Sequence, residues 1–293
     1  MMEYKTISGI KIPVLGLGTY GMSGEKKKGI DMPEYPDEQQ IAAIRAAIKL
    51  GMTHIDTAES YGNGHAEKLV AEAIKGFDRE KLFITSKVSE ENLHYGDVIA
   101  SCEASLQRLG TNYIDLYLIH FPNPNIPIEE TMRAMDFLVE KKSVRFIGVS
   151  NFSVEQLKEA QKYAKNKIVA NQVEYNLLVR NNGKYNKNIE SHIIPYCQKN
   201  NIMFIAYRPL GLGKLAKPGF ALLDKMAKKY DKTQAQIALN WIISKKNVVT
   251  IVKASDTKHL KEIVAAVGWT LSREDMRKFD YEFEPAGWAL KSR

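Results

Sequence analysis

The sequence predicts a (β/α)8 barrel, the TIM-barrel fold, as one domain that spans residues 1–293. Short apolar or β-branched segments recur along the chain, and they start at positions 14, 54, 82, 114, 146, 168, 202 and 248. Their spacing is close to one βα unit throughout, and no linker or change of composition interrupts the series. Eight such units favour a closed barrel over a doubly wound sheet, which usually has fewer strands.

The individual segments are typical of parallel strands buried on both faces, because most of them are continuously apolar. The predicted strands are 14–17, 54–56, 82–88, 114–120, 146–150, 168–174, 202–207 and 248–252. Helical patterns lie between them, as at 37–50, where Gly51 follows as a stop signal. Ser153, Thr233 and Thr257 are predicted N-caps of later helices.

Two further elements are predicted outside the eight units. Residues 4–7 and 10–12 flank Ser8 and Gly9, a pattern that indicates a β-hairpin. We expect this N-terminal β-hairpin to lie at the barrel floor. Residues 272–282 predict one extra C-terminal helix.

Composition and charge argue against several classes of partner. The chain has 42 Lys+Arg and 34 Asp+Glu, a net charge of +8, but the basic residues are spread and the densest run, Lys26 to Lys28, has acidic neighbours. We therefore expect no nucleic-acid partner. The first nine residues lack the apolar core of a signal peptide, and no segment has the roughly 18 apolar residues of a membrane span. We expect no membrane association.

The cysteines and histidines are not arranged for a disulfide or a metal. Cys102 and Cys197 lie in separate predicted helices, and the six histidines show no ligand spacing such as His-Glu-x-x-His. We predict no metal site and a reducing, cytoplasmic location. His54 and His65 are interpreted as surface or packing residues.

Polar residues collect where the predicted strands end, and barrel enzymes place their chemistry at that rim. The set is Asp56, Tyr61, Lys87, His120, Ser150, Asn151, Gln172 and Tyr207. Each has an ordinary structural explanation by itself, such as a helix cap for Asp56 or a packed core histidine for His120. Burying all of them without a ligand or mutual partners would cost free energy at every position. Together they predict a functional site.

Several short motifs, in order along the chain, resemble those of the aldo-keto reductases. They are GLGT at 16–19, DTAESYG at 56–62, TSK at 85–87, DLYLIH at 115–120, GVSN at 148–151, AYRPLG at 206–211 and VKAS at 252–255. The resemblance covers essentially the whole chain. It implies a catalytic tetrad of Asp56, Tyr61, Lys87 and His120, and a nicotinamide dinucleotide cofactor, commonly NADPH.

The chemistry of these side chains suits carbonyl reduction, in which a cofactor supplies a hydride and a side chain supplies a proton. Tyrosine, with a reference pKa of about 10, is a poor acid unless a nearby ammonium stabilises its phenolate. Lys87 is predicted to do so for Tyr61. Asp56 is predicted to pair with Lys87, and His120 to orient the substrate carbonyl.

The resemblance also implies how the dinucleotide binds, extended across the rim without a Gly-x-Gly-x-x-Gly fingerprint. Tyr207 would stack on the nicotinamide, a Gly-rich loop at 210–213 would approach the pyrophosphate, and Lys253 would contact the 2′-phosphate. A simple turn is the other explanation of that loop. The complete predicted set is Gly18, Thr19, Tyr20, Asp56, Ser150, Asn151, Gln172, Tyr207, Leu210, Gly211, Gly213, Lys253, Ala254, Ser255, His259 and Glu262.

Two positions depart from the family pattern. Members that bind NADPH firmly often carry Arg and Asn where this chain has His259 and Ile263. An imidazole cannot offer the bidentate fork that an arginine guanidinium presents to a phosphate. The NADPH preference therefore depends mainly on Lys253, and NADH stays an alternative.

The predicted substrate pocket consists of Tyr20, Tyr61, His120, Phe121 and Trp288. Such aromatic side chains suit small aldehydes, ketones or open-chain sugars. The sequence thus predicts an NAD(P)H-dependent reductase, acting as a monomer on a small-molecule carbonyl or alcohol. Two alternatives stay open: a cofactor-binding auxiliary subunit of a membrane channel, and a barrel lyase with Lys87 as a Schiff-base nucleophile.

Overall fold

A computed structural model describes residues 1–22 and 35–283 of the chain. It begins with two antiparallel strands, β1 (Tyr4–Ile7) and β2 (Ile10–Pro13). Ser8 and Gly9 connect them with positive φ angles of 50° and 78°, the left-handed conformation that a tight hairpin turn requires. The predicted hairpin is confirmed.

Within the described residues, eight parallel strands form a closed barrel. They are β3 (Leu15–Gly18), β4 (His54–Asp56), β5 (Phe83–Val88), β6 (Ile114–Ile119), β7 (Val144–Ser150), β8 (Ile168–Glu174), β9 (Met203–Tyr207) and β10 (Val248–Val252). Each strand pairs in parallel with the next, and β10 pairs with β3 to close the ring. The predicted barrel is confirmed, and every predicted strand boundary lies within two residues of the observed one.

Helices surround the barrel and connect its strands. They are α1 (Asp37–Lys49), α2 (His65–Ile74), α3 (Tyr95–Leu109), α4 (Ile128–Glu140), α5 (Val154–Tyr163), α6 (Ile194–Lys199), α7 (Ala221–Tyr230), α8 (Gln234–Ile243), α9 (Thr257–Val264) and α10 (Arg273–Glu282). Helix α10 is the predicted extra C-terminal helix. Helix α7 lies between β9 and α8, at a place for which the sequence pattern indicates no separate helix.

The helix starts show why local capping chemistry is readable from sequence. Ser153 and Thr233 each form a capping box with a glutamine three residues later, as predicted. The prediction that Thr257 caps α9 is wrong. Asp256 takes that place because its carboxylate accepts a hydrogen bond from the His259 amide, which makes Thr257 the first helical residue.

The hairpin closes one end of the barrel. Ile7, Ile10 and Ile12 belong to a buried apolar cluster that includes Leu116 and Met203 from the barrel interior. The amino ends of the strands are therefore plugged, and the carboxyl ends form the rim where polar residues collect.

The two cysteines are free thiols buried in α3 and α6. Burial raises the pKa of both Cys102 and Cys197 to about 12, so neither forms a reactive thiolate at neutral pH. Among the helices described, none is long and apolar enough to cross a membrane.

Candidate active site

Lys87 is the centre of the polar cluster at the rim. It is the next-to-last residue of β5 and is fully buried. Its Nζ donates hydrogen bonds to Asp56 Oδ1 at 2.5 Å, to the Thr57 carbonyl at 2.8 Å and to the Tyr61 phenol oxygen at 3.3 Å. A lysine ammonium has three protons, and these three contacts use them all. The ammonium is therefore held in one position.

The charge of Lys87 depends on its neighbours. Burial lowers the pKa of its ammonium, whereas the carboxylates of Asp56 and Glu67 oppose that shift. Asp56 is itself almost fully buried, and its second oxygen accepts a hydrogen bond of 2.7 Å from Gln172 Nε2. The carboxylate thus bridges Lys87 on β5 and Gln172 on β8.

Tyr61 and His120 lie next to each other beside this ion pair. Tyr61 lies in the loop after β4, and its ring meets those of Tyr20 and His120 edge-on, with centroid distances of 5.2 and 5.7 Å. His120 directly follows β6, and its amide donates to the Val88 carbonyl at 2.9 Å. The structure therefore brings the four predicted tetrad residues to one place on the rim.

Asn151 organises the next part of the rim. Its φ of 64° is left-handed, which asparagine tolerates better than most residues do. Its Nδ2 donates to the His120 carbonyl at 3.1 Å and to Ser150 Oγ at 3.0 Å, and its Oδ1 accepts from the Tyr207 hydroxyl at 3.0 Å. Ser150 Oγ in turn donates to the Gln172 carbonyl at 2.9 Å. These four residues form one continuous polar wall.

The Gly-rich loop after β9 is a series of tight turns. Gly211 and Gly213 have φ values of 55° and 86°, and their amides donate to the carbonyls of Arg208 and Leu210 at 2.9 and 3.0 Å. A Cβ at Gly213 would meet no atom of the described part of the chain within 4 Å, whereas one at Gly211 would lie 3.0 Å from Leu178. The loop therefore has open space at Gly213, but the amides of both glycines are occupied within it.

The residues after β10 lie beside α1 and at the start of α9. Lys253 is half-buried, and burial lowers the pKa of its ammonium. Ser255 is buried, its carbonyl accepts from Gln39 at 3.1 Å, and its Oγ has no hydrogen-bond partner among the described residues. His259 Nδ1 lies 2.5 Å from Asp256 Oδ2, so Asp256 holds this imidazole at the helix start.

The remaining predicted residues are placed as follows. Gly18 ends β3, and Thr19 Oγ1 donates to the Asp56 carbonyl at 3.0 Å. Ala254 is buried, and the Glu262 carbonyl accepts from Gln236 on α8. The ring of Phe121 stacks on that of His120 at 5.0 Å. Trp288 lies outside the described residues.

Three participants in this site have no signal at the level of sequence pattern. The Thr57 carbonyl contacts Lys87 because of the local chain path, and Asn186 and Tyr185 reach the rim from a loop far from any strand end. Asn186 Nδ2 donates to the Asn151 carbonyl at 3.1 Å, and the Tyr185 ring lies 5.0 Å from that of Phe121. Only the folded structure places them.

The barrel carries a buried Asp–Lys pair and an adjacent tyrosine at the carboxyl ends of its strands. The sequence motifs indicate this type of site. The model of the aldo/keto reductase family matches residues 14–281. The chain belongs to this family.

Two relatives in the family are named for the reduction of small dicarbonyl compounds. The chain is 35% identical over 275 residues to methylglyoxal reductase YeaE of Escherichia coli (strain K12), with 92% of this chain and 91% of that protein covered. It is 36% identical over 278 residues to glyoxal reductase of Bacillus subtilis (strain 168), with 94% and 91% covered.

Two crystal structures are similar over almost their whole length. The thermostable aldo-keto reductase Tm1743, solved with the inhibitor epalrestat, has a TM-score of 0.86 and 42% identity, and the match covers 95% of this chain and 99% of that one. The aldo/keto reductase of Klebsiella pneumoniae, solved with NADP and acetate, has a TM-score of 0.84 and 33% identity, with 98% and 97% covered.

Proposed function

We propose that this protein reduces aldehydes and ketones to alcohols with NADPH, and that Tyr61 donates the proton. The observation that carries the proposal is the 3.3 Å contact between Lys87 Nζ and the Tyr61 phenol oxygen, next to the Asp56 carboxylate. The cofactor supplies a hydride to the carbonyl carbon. The side chains described above supply the proton and the orientation.

The proton comes from the Tyr61 hydroxyl and goes to the substrate oxygen as negative charge develops there. The phenolate that remains is stabilised by the Lys87 ammonium, which lies within hydrogen-bond distance of the same oxygen. Asp56 keeps the ammonium in place, and the His120 imidazole, beside the Tyr61 ring, donates a hydrogen bond to the carbonyl oxygen. Each residue of the tetrad thus has a separate task.

The residues present fit a nicotinamide dinucleotide. Ser150, Asn151, Gln172 and Tyr207 form a hydrogen-bonded wall next to the Asp56–Lys87 pair, where a carboxamide and a flat ring need polar and aromatic partners. Ser255 Oγ, which has no hydrogen-bond partner within residues 1–22 and 35–283, and the half-buried Lys253 suit the adenosine 2′-phosphate, and solved relatives contain NADP or NADPH. These features favour NADPH over NADH.

Relatives named for reducing methylglyoxal and glyoxal support small reactive aldehydes as the substrate class. Open-chain sugars are a further substrate class, because the site combines hydrogen-bonding side chains such as His120 with aromatic rings such as Phe121. The Schiff-base lyase is disfavoured, because Lys87 Nζ is bonded to three acceptors, one of which is a carboxylate that favours the charged form of the amine.

Replacing Tyr61 by Phe tests the proposal directly. The ring and its packing remain, and only the proton donor is removed, so we expect kcat for methylglyoxal to fall by about 10² to 10⁴. Stopped-flow or steady-state NADPH oxidation measures the rate, and NADPH fluorescence titration checks that binding is retained. Tyr163→Phe, on α5, is the control. A Tyr61→Phe variant with unchanged turnover would overturn the assignment.

A further inference from the structure

Residues 181–188, here called the 181–188 loop, form a compact projection between β8 and α6. Its ends are joined, because the Asn188 amide donates to the Asn181 carbonyl at 2.8 Å and Asn182 pairs with Lys187 in an antiparallel bridge. Just before the loop, Arg180 forms a 2.6 Å ion pair with Glu190, and its guanidinium donates to the Phe279 carbonyl on α10. The base of the loop is therefore fixed.

The tip of the loop reaches the active-site rim through Asn186. This side chain is buried, and its Nδ2 donates to the Asn151 carbonyl at 3.1 Å. Gly183 allows the tip to fold tightly, because a Cβ there would lie 2.9 Å from the Asn186 carbonyl oxygen. The loop is thus attached at its tip to the residue that also bonds Tyr207.

Tyr185, next to Asn186, extends the aromatic surface of the site. Its ring lies 5.0 Å from that of Phe121, which stacks on His120, whose ring in turn meets Tyr61. Including Tyr20 at the other end, five aromatic rings follow one another from the loop after β3 to the 181–188 loop. Tyr185 is 42% exposed, so part of its ring is accessible to solvent next to Phe121.

We propose that Tyr185 is a specificity-determining residue that forms the outer wall of the substrate pocket and favours carbonyl compounds bearing an aromatic ring. The inference rests on the proposed carbonyl reduction. A substrate whose carbonyl oxygen meets Tyr61 and His120 extends its substituent along Phe121 towards Tyr185. Aromatic pairs attract each other beyond the effect of burial alone, so an aryl substituent gains more from this wall than a methyl group does.

The test compares two aldehydes, benzaldehyde and methylglyoxal, with NADPH as the reductant. Tyr185→Ala removes the outer ring, and we expect the ratio of kcat/KM for benzaldehyde to that for methylglyoxal to fall about five- to tenfold, mainly through KM. Tyr185→Phe keeps the ring and should keep the ratio. Tyr163→Ala is a matched control, because Tyr163 is exposed to a similar degree, 40%, on the outer helix α5.

Asn186→Ala tests the proposal with a second variant, measured by the same ratio of kcat/KM values. Releasing the tip should lower the ratio in the same direction, and the double variant with Tyr185→Ala should lower it no further than Tyr185→Ala alone. A ratio that is unchanged in Tyr185→Ala would overturn the proposal. So would a ratio that falls equally in Tyr185→Phe, because the hydroxyl and not the ring would then select the substrate.

Failure of the proposed function has a different signature. It appears as no NADPH-dependent turnover of either aldehyde by the unaltered protein, which would overturn both proposals. Failure of the present inference appears as normal turnover with a ratio that does not respond to Tyr185. Circular dichroism and thermal unfolding of each variant confirm that the comparison is made between folded proteins.

Discussion

The Nζ atom of Lys87 and the phenol oxygen of Tyr61 lie 3.3 Å apart, although the two residues are 26 positions apart in the chain. They meet because β4 and β5 are parallel neighbours whose carboxyl ends share one edge of the barrel. Lys87 lies within β5, and Tyr61 lies in the loop after β4. The barrel therefore supplies the proximity that proton donation needs, without any local sequence motif joining the two residues.

Asp56→Asn should shift the pH dependence of turnover. Burial lowers the pKa of the Lys87 ammonium and the Asp56 carboxylate opposes that effect, so a neutral amide lets the pKa fall further. The ammonium is then lost at lower pH, and the alkaline decline of kcat should move to lower pH. The profile of kcat between pH 6 and 10 measures this, with Asp97→Asn, exposed on α3, as the control. An alkaline limb at the same pH in both variants would contradict the role of Asp56.

Lys253→Ala should weaken NADPH binding far more than NADH binding. A charge-assisted hydrogen bond to a phosphate contributes about 1.5 to 3 kcal/mol, so the Kd for NADPH should rise roughly tenfold to a hundredfold. Fluorescence titration with both coenzymes measures the two constants. Lys225→Ala, exposed on α7, is the control. Equal losses for NADPH and NADH would show that Lys253 does not contact a 2′-phosphate.

The barrel was predictable because its strands are buried on both faces and therefore appear as continuous apolar runs. The rim was predictable because strand ends mark where polar side chains such as Lys87 and Asn151 are placed. The start of α9 was predicted wrongly because two local signals compete there. Asp256 and Thr257 are both good caps, and the Asp256 carboxylate is the one that accepts the hydrogen bond from the His259 amide.

The parts that sequence reasoning missed depend on the path of a loop in space. Tyr185 contacts Phe121 across 64 positions of sequence, and nothing in the polar segment around Tyr185 indicates that contact. Helix α7 was missed because the long interval before β10 contains two helices, the amphipathic α7 and the almost entirely buried α8, and one βα unit requires only one helix. Loop paths depend on tertiary anchors such as Asn186, which have no periodic pattern.

Arg108→Leu should destabilise the protein substantially. The Glu67 carboxylate on α2 is fully buried, and it accepts hydrogen bonds from Arg108 Nε and Ser86 Oγ, each 2.6 Å long. Removing the guanidinium leaves a buried charge without its cation, which typically costs about 3 to 5 kcal/mol. Urea unfolding measures the loss, with Arg273→Leu, exposed at the start of α10, as the control. A double variant that also converts Glu67 to Leu should recover part of the stability, and no recovery would contradict the buried-charge explanation.

His54 should make the stability of the protein decrease in mild acid. Its imidazole is fully buried inside the barrel, with Nε2 3.0 Å from Thr85 Oγ1 and its ring edge-on to Phe83. Burial is the main cause that lowers its pKa from 6.5 to about 4, and the Lys87 charge adds to the shift while Asp56 opposes it. The unfolded chain therefore binds a proton between pH 6.5 and 4 that the native protein excludes.

This difference in proton binding makes the protein less stable as the pH falls. The stabilisation is complete above pH 6.5 and is lost as the pH falls towards 4, with a total of about 3 kcal/mol and about 2 kcal/mol lost by pH 5. His54→Gln keeps a hydrogen-bonding group near Thr85 but does not titrate, so its free energy of unfolding should fall less between pH 7 and pH 5. Urea unfolding at both pH values measures the slope, and His192→Gln, exposed before α6, should keep the slope of the unaltered protein. Each variant removes one histidine, which is buried in one case and exposed in the other. If the free energy of unfolding changed with pH equally in both variants, protonation of the buried imidazole would not be what destabilises the fold.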